Sequence, residues 1–415
     1  MLNKRLLIIG FTWPEPTTTA AGNRMLQLIH FFLEEGYHIT FSSTATESER
    51  SFDLEGIGVQ KVPIKLNHVS FDKFITSLNP GIVVFDRFLT EEQFGWRIAE
   101  FAPNALRILD TEDLHSLRQS RENAFRSAME FTTDLWLRND ITKREIASIY
   151  RSDISLVISS HEMGLLKDVL KIDARILQYL PFMIEPLSEL DTDLLKPFAD
   201  RKDFICIGNG KHAPNIDAIV WLKKEIWPLM RKQLPDVNLN IYGAYLPEYV
   251  KQMHQPSEGF LVHGWIENVK EVMEHAKVNI APLRFGAGLK GKLLEAMRCG
   301  TPSVTTAIGA EGMHDGSDFE FCGGIAETPN DIASMALALY RTESTWQTAR
   351  SKGTAIVNSL FNKKEHGERL RTKIRSVHEN LRGHRTSNFI GQLLAHHTMA
   401  STKYLSKWIA EKSKK

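Results

Sequence analysis

Cysteine is scarce in this chain: three occur, at Cys206, Cys299 and Cys322. An odd number spread so widely makes neither a disulfide framework nor a paired-cysteine metal motif. Cys206 and Cys299 stand among apolar neighbours and read as buried, inert thiols of a reducing compartment. Long apolar runs are also missing. No stretch approaches the roughly 18 residues needed to cross a bilayer. The opening Met1 to Arg5 followed by Leu6–Ile9 has a signal-peptide flavour, but the run is too short and Trp13-Pro14-Glu15-Pro16 interrupts it. The expectation is a cytoplasmic chain. Net charge is nearly absent, +1 from 51 Lys/Arg against 50 Asp/Glu, which gives no drive towards nucleic acid.

What is present describes an ordinary α/β protein. At 415 residues the chain exceeds one core, and about 150 residues per domain predicts two domains and an appendage. Residues 5–9 form a short continuous apolar run, the mark of a strand buried on both faces. A Pro/Thr/Gly loop and a helical pattern over 23–35 follow, with further strands at 37–42, 60–64, 82–85, 106–109 and 154–158. Residues 114–150 are polar and nearly free of Gly and Pro, and read as one or two long helices. The pattern restarts with strands at 204–208, 239–243, 259–262, 278–282 and 303–306 and helices from Asn215 (as N-cap), Lys290 and Asn330. This predicts two Rossmann-like, doubly wound domains facing across a cleft, 1–185 and 186–362, with a helical tail at 363–415.

The segment with most chemical content runs from Pro282 to Pro302. Gly286, Gly288 and Gly291 let backbone approach a ligand, and a helix then starts with its positive dipole end facing that loop. Lys290 and Lys292 add charge at the same end, and Glu295 lies one turn in. Together they suit a diphosphate beside a sugar or ribose. Gly286-x-Gly288-x-x-Gly291 also matches a dinucleotide pattern, but the next strand ends in threonines rather than an acid, which argues against NAD. The loop from Gly208 through Lys211 makes a second strand-to-helix corner on the cleft.

These residues resemble the retaining glycosyltransferases of family 4, which have the GT-B fold. Leu294-Glu295-Ala296-Met297, Cys299-Gly300-Thr301-Pro302-Ser303-Val304, His263-Gly264-Trp265 and Ala281-Pro282-Leu283 carry the likeness. It implies a nucleotide-sugar donor as co-substrate and no cofactor. Glu295 would hold ribose hydroxyls, Lys211 with Gly208 and the 286–292 loop the diphosphate, and His263, Gly264, Trp265 and Ile266 the base. The family usually needs no metal there, and none is expected. One departure stands out: the family's first glutamate, eight positions before Glu295, is here Ala287.

In the first domain, Asp110-Thr111-Glu112-Asp113-Leu114-His115 crowds acids and a histidine at a strand end. Glu112, where the family often has a histidine, Asp113 and His115 are candidate catalytic groups for orienting or deprotonating an acceptor hydroxyl. The same acids would serve equally as the dressing of a helix N-terminus. Gly22, Arg87 and Arg118 are candidate acceptor contacts. In the tail, thirteen Lys/Arg stand against four Asp/Glu, and Phe389, Leu393, Leu394, Tyr404, Leu405 and Trp408 recur at roughly helical spacing. That suits a membrane surface, a solubilising segment or an oligomer contact. The expected activity is hexosyl transfer from a nucleotide sugar to a glycan or lipid-linked acceptor, in cell-surface polysaccharide or glycoconjugate synthesis. An epimerase or phosphorylase of the same fold and a catalytically silent partner subunit are the alternatives.

Overall fold

The computed structural model describes residues 3–314 and 320–412. The first lobe holds strands β1 (Arg5–Gly10), β2 (His38–Ser43), β3 (Gln60–Pro63), β4 (Ile82–Asp86), β5 (Leu106–Asp110), β6 (Ile154–Val157) and β7 (Leu177–Tyr179). The second holds β8 (Phe204–Ile207), β9 (Leu239–Tyr242), β10 (Phe260–Gly264), β11 (Val278–Ala281), β12 (Ser303–Thr305) and β13 (Gly323–Ile325). All pairings are parallel, in the orders 3-2-1-4-5-6-7 and 10-9-8-11-12-13. Each order reverses once, at β1/β4 and at β8/β11, and a crevice opens beyond the strand C-termini at such points.

The apolar run of β1 divides its side chains by strand alternation. Leu6 and Ile8 join the core under the helix Ala20–Glu34, while Leu7 and Ile9 join the core on the opposite face. Strands β7 and β13, three residues each at one edge of each sheet, went unrecognised in the sequence: LQY and GGI are no continuous apolar run, and three residues show no period. The polar stretch expected as one or two helices is three: His115–Arg126, Thr133–Arg138 and Asp140–Arg151. Ala128 takes a left-handed φ of 51° after the first, and the Thr132 and Asn139 side chains cap the second and third. The helix expected to be capped by Asn215 starts at Ala213, with Pro214 in its first turn.

Beyond the second lobe the chain returns to the first. Helix Lys363–Glu379 places Leu370, Ile374 and Val377 in the core under Ala20–Glu34. In the next helix, Leu381–Ser387, the Arg385 guanidinium binds both oxygens of Asp153 at 2.8 Å. The last helix, Phe389–Lys412, packs on Arg87–Phe101 and Asp140–Arg151. Lys414 and Lys415 of the basic tail lie outside the described residues. None of the described helices is long and apolar enough to cross a membrane.

Candidate functional site

A cleft of ≈ 920 Å³ lies between the lobes, at the C-terminal ends of both sheets. Its second-lobe wall is the loop after β11. Gly286 (φ 153°) and Gly288 (φ 65°) adopt backbone that other residues rarely take, and the helix Gly291–Arg298 follows. Lys290 occupies the N-cap position and no side chain caps the helix. The amide end therefore borders the cleft without a side-chain cap, with Gly291 packed close to Ala20 of the first lobe. Lys290 itself curls back: its Nζ donates to the carbonyls of Gly288 (2.7 Å) and Ala287 (3.2 Å). Burial lowers its pKa to about 8. Lys292 Nζ donates to Asn215 Oδ1 at 2.6 Å, and burial lowers its pKa too. Glu295 lines the cleft with its carboxylate on Arg298, 2.9 Å.

Gly208 closes β8 tightly, since a Cβ there would meet the Asn215 side chain at 2.6 Å. Lys211 reaches over the Tyr245 ring, 3.7 Å from its centroid. Trp265 and Ile266 line the cleft; His263 instead stacks on Tyr242 at 4.7 Å and hydrogen-bonds Asn240, and Gly264 (φ 83°) makes the turn between. An Asp-x-Asp spacing exists at Asp191 and Asp193. It lies in the linker helix Glu189–Asp193, where Asp191 completes a capping box with Ser188.

The first-lobe wall is built from the ends of β1, β4 and β5. The β1/β4 register sets Ile9 beside Phe85, so the Phe11 amide meets Asp86 Oδ2 at 2.8 Å. Arg87 (φ 71°) and Glu112 (φ 61°) both hold left-handed backbone, which neither side chain favours. Asp86 Oδ1, Arg87 Nε and Glu112 Oε1 are buried without a hydrogen-bond partner. Burial, then Asp110 and Asp86, push the Glu112 carboxyl well above the carboxylate range. Asp113 accepts from Arg118 (2.8 Å) and His115 (3.1 Å), and these neighbours hold it below that range despite its burial. Glu112 and Asp113 do not cap the helix after them. Glu145 does, accepting from the His115 and Ser116 amides at 2.9 and 3.1 Å. Gly22 belongs to the other rim, where a Cβ would strike the Glu15 backbone at 2.5 Å.

Residues 201–342 match the family model described as Glycosyl transferases group 1. The second lobe is a glycosyl transferases group 1 domain. Over 90% of this chain and 99% of its own, sucrose-phosphate synthase from Thermosynechococcus elongatus superposes with a TM-score of 0.67 at 14% identity. HepE from Anabaena, solved with UDP and glucose, superposes over 89% of this chain and 99% of its own, with a TM-score of 0.63 at 13% identity. At these identities the likeness carries the fold, and the fold is GT-B. An uncharacterised 44.6 kDa protein in the cps region of Klebsiella pneumoniae is 28% identical over 113 residues, 26% of this chain; the chain spans 29% of that protein's length.

The group 1 domain is drawn onto the first lobe by polar contacts, most of them not foreseen from sequence. Arg121 binds both Glu311 oxygens at 2.7 Å and the Gly286 carbonyl at 2.8 Å. Arg118, expected at the acceptor, also lies 3.2 Å from His212, whose pKa burial lowers to about 4. Glu15 accepts from the Tyr245 hydroxyl at 2.9 Å, and the Arg50 guanidinium sits 5.0 Å from both the Tyr245 and Trp265 rings. Glu162 Oε1 accepts from Leu114 N (3.0 Å) in one lobe and Gly288 N (2.8 Å) in the other. Inside the first lobe, the buried Arg24–Asp110 pair (2.7 Å) ties Ala20–Glu34 to β5, and Arg24 also donates to the Leu180 carbonyl. Its only sequence signal is an arginine on an otherwise apolar helix face.

Proposed function

We propose that the protein moves a hexosyl group from a nucleotide sugar to a glycan or lipid-linked acceptor, with retention, at the cytoplasmic side of cell-surface polysaccharide or glycoconjugate synthesis. The observation that carries this reading is the uncapped, cleft-facing start of Gly291–Arg298 with Lys292 beside it, within a glycosyl transferases group 1 domain. The departing nucleoside diphosphate gathers charge as its bond to the anomeric carbon breaks. Fixed amides and the Lys292 ammonium meet that charge without reorganising and without a metal. Lys211 and Glu295 reach the same donor, at the diphosphate and ribose. Trp265 and Ile266 offer the base an apolar wall, with His263 and Gly264 shaping the turn. On the facing wall Glu112 orients the acceptor hydroxyl and, in its ionised form, takes its proton as the new bond forms. Asp113 and His115 fix the geometry around it, and Arg87 and Gly22 border the acceptor. HepE's UDP and glucose, and the cps-region setting of the Klebsiella protein, favour this donor and pathway class.

A panel of nucleoside diphosphates and their sugars in thermal-shift assays tests the reading. At a hundred times its Kd a true ligand stabilises by about 2.7 kcal/mol. Lys292→Ala weakens that ligand while leaving the melting temperature of the free protein nearly unchanged. A panel in which no nucleotide raises the melting temperature overturns the donor site. A catalytically silent partner subunit is the second reading, favoured by Ala287, whose methyl packs into the first lobe's apolar core where the family has a carboxylate. Pure protein that binds a nucleotide sugar yet never releases the diphosphate, alone or with acceptors, selects it.

A further inference from the structure

Helix Phe389–Lys412 is apolar on two faces. The inner face carries Gly391 and Ser406. A Cβ at Gly391 would strike the Tyr150 carbonyl at 2.1 Å, and the Ser406 hydroxyl accepts from Arg97 at 3.1 Å, so this face is seated on the first lobe. The outer face carries Phe389, Ile390, Leu393, Tyr404, Leu405 and Trp408, each between 48% and 71% exposed. At 3.6 residues per turn these six fall within about 160° of arc, opposite the seated face. Six exposed apolar side chains on one helix face, in clusters at 389–393 and 404–408, mark an interaction site.

The chemistry of its margins selects the partner. Lys407 and Lys412 project near the two edges of the stripe, and the Lys412 ammonium lies 4.1 Å from the Trp408 ring centroid. The sequence adds Lys414 and Lys415 directly after. Across 380–412 five Lys/Arg stand against one acid, Glu411; Arg385 and Lys403 are paired with Asp153 and Glu100 of the first lobe, which leaves Lys407 and Lys412 beside the stripe. Tyr and Trp place an apolar body and a polar tip at the same level, and lysines snorkel from beside them. A bilayer needs no complementary shape, and the lysines at the margins favour an anionic surface. We propose that this outer face docks on an anionic lipid surface, the helix lying in the headgroup plane and holding the first lobe against the membrane. The docking stands apart from whatever the cleft transfers.

Flotation of the full chain with vesicles tests this. The protein is expected to float with phosphatidylcholine–phosphatidylglycerol vesicles, less with phosphatidylcholine alone, and to be released by salt. Leu405→Ser with Trp408→Ser lowers vesicle affinity about tenfold or more. Lys407→Gln and Lys412→Gln each cost about fivefold, on anionic vesicles only. The double and the two single variants all change exposed side chains, and unchanged circular dichroism and nucleotide-induced thermal shift confirm the fold. Brominated lipid quenches tryptophan fluorescence in the wild type and much less in Trp408→Phe, which keeps the other seven tryptophans. The proposal is overturned if the folded wild type ignores every vesicle, or if Leu405→Ser with Trp408→Ser floats as well as wild type. It is equally overturned if light scattering finds a dimer that this double substitution dissolves, since a second copy then covers the face.

Discussion

Burial, reinforced by the carboxylate of Asp113, lifts Glu162 to about 8, while its Oε1 accepts amides from both lobes. A carboxyl ordinarily near 4.5 whose folded value is about 8 gives stability that is complete below 4.5 and lost as pH rises through 8. Glu162→Gln keeps an oxygen for the Leu114 and Gly288 amides but has no proton to lose. The melting temperature of the variant should therefore gain on the wild type as pH climbs across that window. Lys290, lowered from 10.5 to about 8, acts with the opposite sign above 8, so the comparison belongs below it. Parallel curves for the two proteins would show that Glu162 does not titrate there. In the sequence Ser159-Ser160-His161-Glu162 follows a strand, and one acid in such a run carries no mark of burial. Its meaning comes from Gly288, 126 positions away.

Among elements, what sequence revealed divides by length and by source of support. Strands of four to six residues in continuous apolar runs, and helices with a clear apolar face, were legible. Strands β7 and β13 were not, nor was the break at Ala128, because an alanine in left-handed backbone leaves no trace in composition. Legible in the donor site were the glycines, the lysines and the helix start, which lie within one short segment. The acidic strand end was ambiguous, because acids there serve catalysis or capping alike. Glu145, 30 residues on, resolves it by capping His115–Arg126 and binding the Ser116 hydroxyl at 2.6 Å, itself an acceptor from Trp136 Nε1. Glu145→Ala strands two buried amides and that hydroxyl, and should cost about 2–4 kcal/mol. Denaturant unfolding would register it as a lower midpoint at unchanged slope. A loss below about 0.5 kcal/mol, the range of surface substitutions, would mean the helix start is supported elsewhere.

For the molecule as a whole, the contacts across the cleft matter most because they concern two rigid sheets joined near Leu180–Lys202 and at the Ile184–Asn362 bridge. Closure excludes water and brings the donor and acceptor walls together. Arg121 is the strongest tie by geometry: a two-pronged pair with Glu311, both side chains largely shielded, plus the Gly286 carbonyl on the donor loop itself. Charge-assisted pairs of this kind contribute about 1–3 kcal/mol, a factor of roughly 5–150 in the ratio of closed to open molecules. Arg121→Ala should thus open the lobes of the nucleotide-free protein, seen as a larger radius of gyration in small-angle scattering. Glu311→Gln, which leaves one neutral acceptor, should open them less. Since a donor held by both walls gains from closure, Arg121→Ala should also weaken donor binding by a factor within that range, while a bare nucleoside diphosphate held by the second lobe alone loses little. Equal losses for donor and diphosphate would place the effect of Arg121 in the 286–292 loop rather than in the hinge between lobes.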